Sequence, residues 1–113
     1  MLEMRVVRRE SKNSFVAKDG SEIRELYKSE RMSLAEATVY HETKLHFHKT
    51  AEEIYYILKG KGIMEIEGKR REVSEGDTVV IVPEKKHRIF ATKKIRFLCF
   101  CSPPYSDEDT VLE

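Results

Sequence analysis

The chain of 113 residues lacks several things, and each absence narrows the reading. It has 2 cysteines, too few for a disulfide-stapled secreted fold. No apolar run approaches the length needed to span a membrane, and no apolar stretch follows Met1–Arg5, so neither membrane insertion nor a secretory signal is expected. There is no excess of either charge: 21 Lys and Arg stand against 20 Asp and Glu, a net +1. A nucleic-acid or anionic-membrane binder usually carries a clear positive excess, so neither partner is expected. Glutamine is absent and Asn13 is the one asparagine. An amide-poor chain rich in Lys and Glu points to a thermophilic source.

What is present is a succession of short strands. Leu2, Met4 and Val6 alternate with charged neighbours and predict a strand at the start. Asp19-Gly20 marks a turn. Ile23–Tyr27 reads as strand, while Met32–Tyr40 is ambiguous because its Ala and Glu also suit a helix. Ile54–Leu58 is β-branched and aromatic and ends at Gly60; Ile63–Glu67 alternates and turns at Gly68. Thr78–Val82 is a nearly continuous apolar run, expected to be buried on both faces and stopped by Pro83. His87–Ala91 and Ile95–Cys101 predict two further strands, stopped by Ser102-Pro103-Pro104. The acidic stretch Ser106–Asp109 is expected to be a solvated, mobile tail. Eight to ten short strands with frequent turns and no sustained helical period give an all-β, closed fold.

Four histidines are present: His41, His46, His48 and His87. His46 and His48 are one residue apart, so on a strand both rings leave the same face and make half of a metal site. After a short connection, a returning strand brings Glu53 to the same ion. His87 follows the turn after Pro83. Three imidazoles and a carboxylate form a mixed nitrogen and oxygen set suited to divalent first-row metals. His41 sits in a polar turn and reads as a surface residue. Glu52 rivals Glu53; adjacent strand residues face opposite ways, so only one of the two can reach the ion. Cys99 and Cys101 share a strand face. Small apolar filling is the plainer reading for them, with a soft-metal or redox role as the alternative.

These residues resemble the motifs of the cupin superfamily. The first motif runs His-x-His, a spacer, Glu, six residues and Gly; here it reads His46-Phe47-His48, Lys49–Glu52, Glu53, Ile54–Lys59 and Gly60. The second runs from Gly76 through Asp77–Ile81 and the turn Val82–Lys86 to His87. The chain departs from the pattern at the opening glycine, near Tyr40 or His41. It departs again at Val82 and Glu84, where the turn's Pro and Gly are usual, and at Ala91, where Asn is common.

The resemblance implies a cupin-type double-stranded β-helix, or jelly-roll barrel: a single domain over residues 1–113 with a motif core at about 40–101 and the N-terminal strand and acidic tail peripheral. It implies one divalent ion (iron, manganese, zinc, nickel or cobalt) held by His46, His48, Glu53 and His87, with Glu53 also able to act as a base. Tyr55, Ile57, Phe97 and Cys99 are candidates for the pocket lining, with ordinary barrel filling as the equal alternative. The expected activity is metal-dependent chemistry on a small polar metabolite, as a dioxygenase, a sugar isomerase or epimerase, or a lyase. A non-catalytic sugar or effector binder is the alternative. A homodimer in the cytoplasm is expected.

Overall fold

A computed structural model describes residues 3–113. Among them a short 3-10 turn at Arg9–Ser11 precedes β1 (Phe15–Val16), β2 (Glu22–Lys28), β3 (Ser33–Val39) and β4 (His46–His48). Then come β5 (Glu52–Ile66), β6 (Lys69–Ser74), β7 (Thr78–Ile81), β8 (His87–Ser102) and β9 (Thr110–Leu112). No helix among the described residues is long and apolar enough to cross a membrane.

The frame is the antiparallel pair β5–β8. Each strand was expected as two shorter ones broken near Gly60 and Ala91. Each instead runs through, with register shifts between Ile57 and Gly62. Gly60 is the reason: its φ is +96°, and it bends the strand without ending it. The first half of β5 pairs with the second half of β8 and carries β7 on one side and β3, β2 and β1 on the other. The second half of β5 pairs with the first half of β8, which carries β6 on one side and β4 and β9 on the other. The sheet thus curls into two halves that meet over one core, in which Ala37, Tyr55, Ile57 and Phe97 pack with Met64, Ile89 and Ile95.

Met32–Tyr40, ambiguous between helix and strand, forms β3. Its alternation buries Ala37 and Val39 against β8, and tertiary pairing outweighs the helical leaning of Ala and Glu. Thr78–Val82 is not buried on both faces: Ile81 is buried, whereas Val80 is 56% exposed. The side chains alternate, so Ile81 enters the core while Val80 stands on the outer face of the sheet, which carries no second layer there. Met4 and Val6 lie in no strand and are exposed, because nothing pairs with them; Leu2 lies outside the described residues. The acidic stretch is not a free tail. The Asp109 carboxylate accepts from Thr50 N, Thr50 Oγ1 and Ala51 N at 2.8–3.0 Å, and Thr110–Leu112 pairs with β4.

A Cβ at Gly60 would fall 2.2 Å from the Lys94 carbonyl oxygen, whereas one at Gly76 (φ +89°) would meet nothing within 4 Å. Gly76→Ala is therefore expected to cost only the backbone strain, about 1 kcal/mol. Gly60→Ala is expected to cost about 3 kcal/mol or more, a fall of about 10 °C or more in Tm. Equal losses in thermal unfolding would contradict the close approach of the two long strands.

Candidate functional site

The site lies where the two halves of the sheet meet. β4 and the start of β8 bring three imidazoles from one half: His46 is directly opposite His87 in the ladder, and His48 follows one pleat later. β5 brings Glu53 from the other half, with Cys101 of β8 opposite it and Cys99 one pleat away. All three rings are buried, His87 completely. The ring centroids of His46 and His87 are 4.2 Å apart, and His48 lies 5.3 and 5.5 Å from them. Glu53 is buried while Glu52 is exposed, the alternation expected of a strand. His41 is at the surface.

Each ring is held from behind through Nδ1. His46 Nδ1 is 2.7 Å from the Lys44 carbonyl oxygen, and His87 Nδ1 is 2.9 Å from that of Lys85. In both cases the carbonyl belongs to the residue two positions earlier. A carbonyl only accepts, so both Nδ1 atoms carry hydrogen. His48 Nδ1 is 3.0 Å from Thr110 Oγ1, whose hydroxyl hydrogen is committed to the Ser106 carbonyl at 2.8 Å. The hydroxyl is therefore an acceptor here, and His48 Nδ1 is also protonated. All three rings consequently turn Nε2 inward, with its lone pair free whenever the ring is neutral.

Two of those nitrogens face one carboxylate. His48 Nε2 is 3.1 Å from Glu53 Oε1, and His87 Nε2 is 3.2 Å from the same oxygen. His87 Nε2 is fully buried and makes no hydrogen bond. Burial alone would push the Glu53 carboxyl up, but His48 and His87 more than offset it and hold it well below the usual carboxylate range. Burial likewise pulls His48 down, and its bond to Glu53 more than reverses that. Burial, with His87 adding to it, lowers His46. Buried lone pairs facing a carboxylate make a place for positive charge, either a proton or a metal ion. Nitrogen and oxygen ligands about 2.1 Å from a metal and at right angles to one another are about 3.0 Å apart, close to the separations found here. The donor set suits a divalent ion of borderline hardness.

A narrow cavity of about 50 Å³ opens beside these residues. Tyr55, Phe97 and Cys99 line it. Ile57 lies in the core instead, 1% exposed, because it sits one pleat further from the opening. Tyr55 stacks on Phe97 at 4.3 Å, and burial and then the Glu53 charge push its phenol well above the ordinary value, so it is a neutral donor.

Several contributors were not read as site residues from sequence. Asp19, taken only as part of a turn, lines the cavity. Its Oδ1 accepts from Ser21 N and Oγ at 3.0 and 2.6 Å, and its Oδ2 lies 3.7 Å from His46 Nε2. Thr110 orients His48 from across the chain. Cys99 and Cys101 do more than fill space: their sulfurs lie 2.8 and 3.3 Å from Glu53 Oε2. No local pattern marks Asp19 or Thr110, since each acts through a contact distant in sequence.

The ring orientations carry a direct expectation. In metal-free protein, long-range ¹H–¹⁵N spectra should show His46 and His87 protonated at Nδ1, with Nε2 bare whenever the ring is neutral. An Nε2-protonated neutral tautomer at either ring would contradict the inward-facing lone pairs.

Comparison with known proteins agrees with this architecture. The chain is 43% identical over 121 residues to the uncharacterized protein MJ1618 of Methanocaldococcus jannaschii, which covers 97% of each. In fold it is similar to Streptomyces Pac13, a nucleoside dehydratase solved with uridine: TM-score 0.88 at 13% identity, covering 99% of this chain and 92% of that one. Ectoine synthase from P. lautus aligns with a TM-score of 0.80 at 22% identity, over 97% of this chain and 90% of that one. Residues 35–101 match the Cupin domain family, a span that takes in all three imidazoles, Glu53 and both cysteines. The chain belongs to the cupin family.

Proposed function

We propose that the protein is a metal-dependent enzyme acting on a small polar metabolite by proton transfer, as an isomerase, epimerase or lyase. The observation that carries this reading is the orientation of the three rings: Nδ1 bonds at 2.7–3.0 Å turn every Nε2 into one buried cleft, where two of them meet Glu53 and the third lies near Asp19. His46, His48 and His87 would hold one divalent ion through Nε2, and Glu53 would add one negative charge through Oε1. Iron, manganese, zinc, nickel and cobalt all suit such a set. Bound there, the ion would polarise a carbonyl, carboxylate or enediol oxygen of the substrate.

The chain's own residues favour acid–base work over oxygenation. Two carboxylates, Glu53 and Asp19, and one neutral phenol, Tyr55, border the same cavity. Asp19 is fixed through Oδ1 by Ser21, which leaves Oδ2 free to accept a proton from a bound ligand. Tyr55 is positioned to donate one. The stacked Phe97 keeps the Tyr55 ring in place and excludes water from that wall. The small cavity limits the reacting part of the substrate to a few heavy atoms. Similarity to a nucleoside dehydratase and to ectoine synthase supports a fold able to house enzymes that act on small molecules.

The test is the metal content of untagged protein by elemental mass spectrometry, with a His48→Ala control and a panel of small hydroxy- and oxo-acids and sugars. Near-stoichiometric metal is expected in the wild type. His48→Ala should weaken metal affinity by at least about 100-fold, more than the loss of an orienting partner costs. Turnover should disappear with the metal. Metal-free protein that cannot be loaded would overturn the reading. Tight ligand binding without turnover would move it to the non-catalytic binder.

A further inference from the structure

The carboxylate of Glu53 has two faces, and only Oε1 belongs to the imidazoles. Oε2 points the other way, towards the Cys99 and Cys101 sulfurs at 2.8 and 3.3 Å. The sulfurs are 4.0 Å apart. Two sulfurs bound at about 2.3 Å to one tetrahedral ion are about 3.8 Å apart, so the pair already has almost the spacing of one edge of such a site. Ordinary core packing sets no such requirement. It also does not need both thiols to converge on one oxygen of a buried carboxylate. The three donors all border the cavity, which leaves a fourth direction open to water or a ligand. Neither cysteine is in a disulfide.

We propose that Cys99, Cys101 and Glu53 Oε2 form a second cation site, for a thiophilic ion such as zinc or cobalt, separated from the imidazole site by the width of one bridging carboxylate. The inference rests on the metal reading above only in sharing Glu53. Soft thiolates and harder imidazoles on either side of one bridge would sort ions by softness. The chemistry balances. Each thiol now donates its hydrogen towards Oε2. On binding, two S–H bonds break, two sulfur–metal bonds form, and both protons leave through the cavity to solvent. The carboxylate is already charged and only exchanges its partners. Two thiolates and the carboxylate then provide three negative charges beside two divalent ions, with Asp19 adding a fourth close to His46. Full occupancy would therefore bury no net charge.

The test uses the full chain, stripped of metal, kept reduced, and titrated with cobalt(II). Absorption spectra are recorded at each addition and bound metal is counted after gel filtration. The wild type is expected to take up two equivalents. A near-ultraviolet thiolate-to-cobalt band should grow in with one of them. Cys99→Ser/Cys101→Ser is expected to keep one equivalent and lose the band. His48→Ala is expected to lose the other equivalent and keep the band. The band in wild type needs no variant, so it decides the matter even where a variant folds poorly. A wild type that binds one equivalent with no thiolate band would overturn the second site and leave the imidazole site standing. A band that accompanies a single equivalent, lost together with all metal in the cysteine variant, would overturn the two-site arrangement in favour of one mixed site. Failure of the imidazole reading shows separately, as retention of both equivalents in His48→Ala.

Discussion

Three buried ring nitrogens turned into one cleft, two of them against the Glu53 carboxylate and the third near that of Asp19, need positive charge between them. The Nδ1 bonds to Lys44, Lys85 and Thr110 remove the usual escape, in which a ring flips its tautomer and donates from the inner nitrogen. A proton on His48 satisfies part of the demand, which is why that ring is held above its ordinary value. A divalent ion would satisfy all of it. Two of the three orienting acceptors are backbone carbonyls two residues before the histidine. The strand ends themselves therefore set the electrostatics, and no specialised side chain is needed at those positions.

The fold supplies the convergence through one bent strand pair. β5 and β8 would separate the imidazole half from the Glu53 half if they were straight. Gly60 bends β5 with a positive φ, and Gly62 brings its backbone against Phe90, where a Cβ would lie 2.5 Å from the carbonyl oxygen. The bend places Cys99 and Cys101 opposite the rings with Glu53 between them. The segment after Pro104 completes the cleft: Lys18 Nζ donates to the Asp107 and Thr110 carbonyls and ties the Asp19 turn to the strand that holds His48.

Much of this is visible in the sequence where the pattern is local. His46-x-His48 declares a shared face because strand side chains repeat every second residue. The spacing to Gly60 favours Glu53 over Glu52, and the period of two then turns Glu52 the other way. What is not visible is set by contacts remote in sequence. Thr110 reaches His48 across 62 positions, and Asp19 approaches His46 from a hairpin before the matched family span. Gly60 reads locally as a strand end. It acts as a bend because β8 runs beside it and continues the ladder, which no local rule can show. Val80 reads as core because its neighbours are apolar, but only one face of an edge strand is covered. Glu84 stands where the turn pattern favours Gly, and its φ of +73° shows that the left-handed turn persists without the residue that suits it best.

The most direct test of the central claim is X-ray absorption at the metal edge of protein loaded with one equivalent of manganese. Because manganese prefers nitrogen and oxygen to sulfur, it addresses the imidazole cluster first. The account predicts a nitrogen and oxygen shell with the multiple-scattering signature of about three imidazoles, reduced to about two in His87→Ala. A shell of water and carboxylate oxygens without imidazole scattering would contradict it.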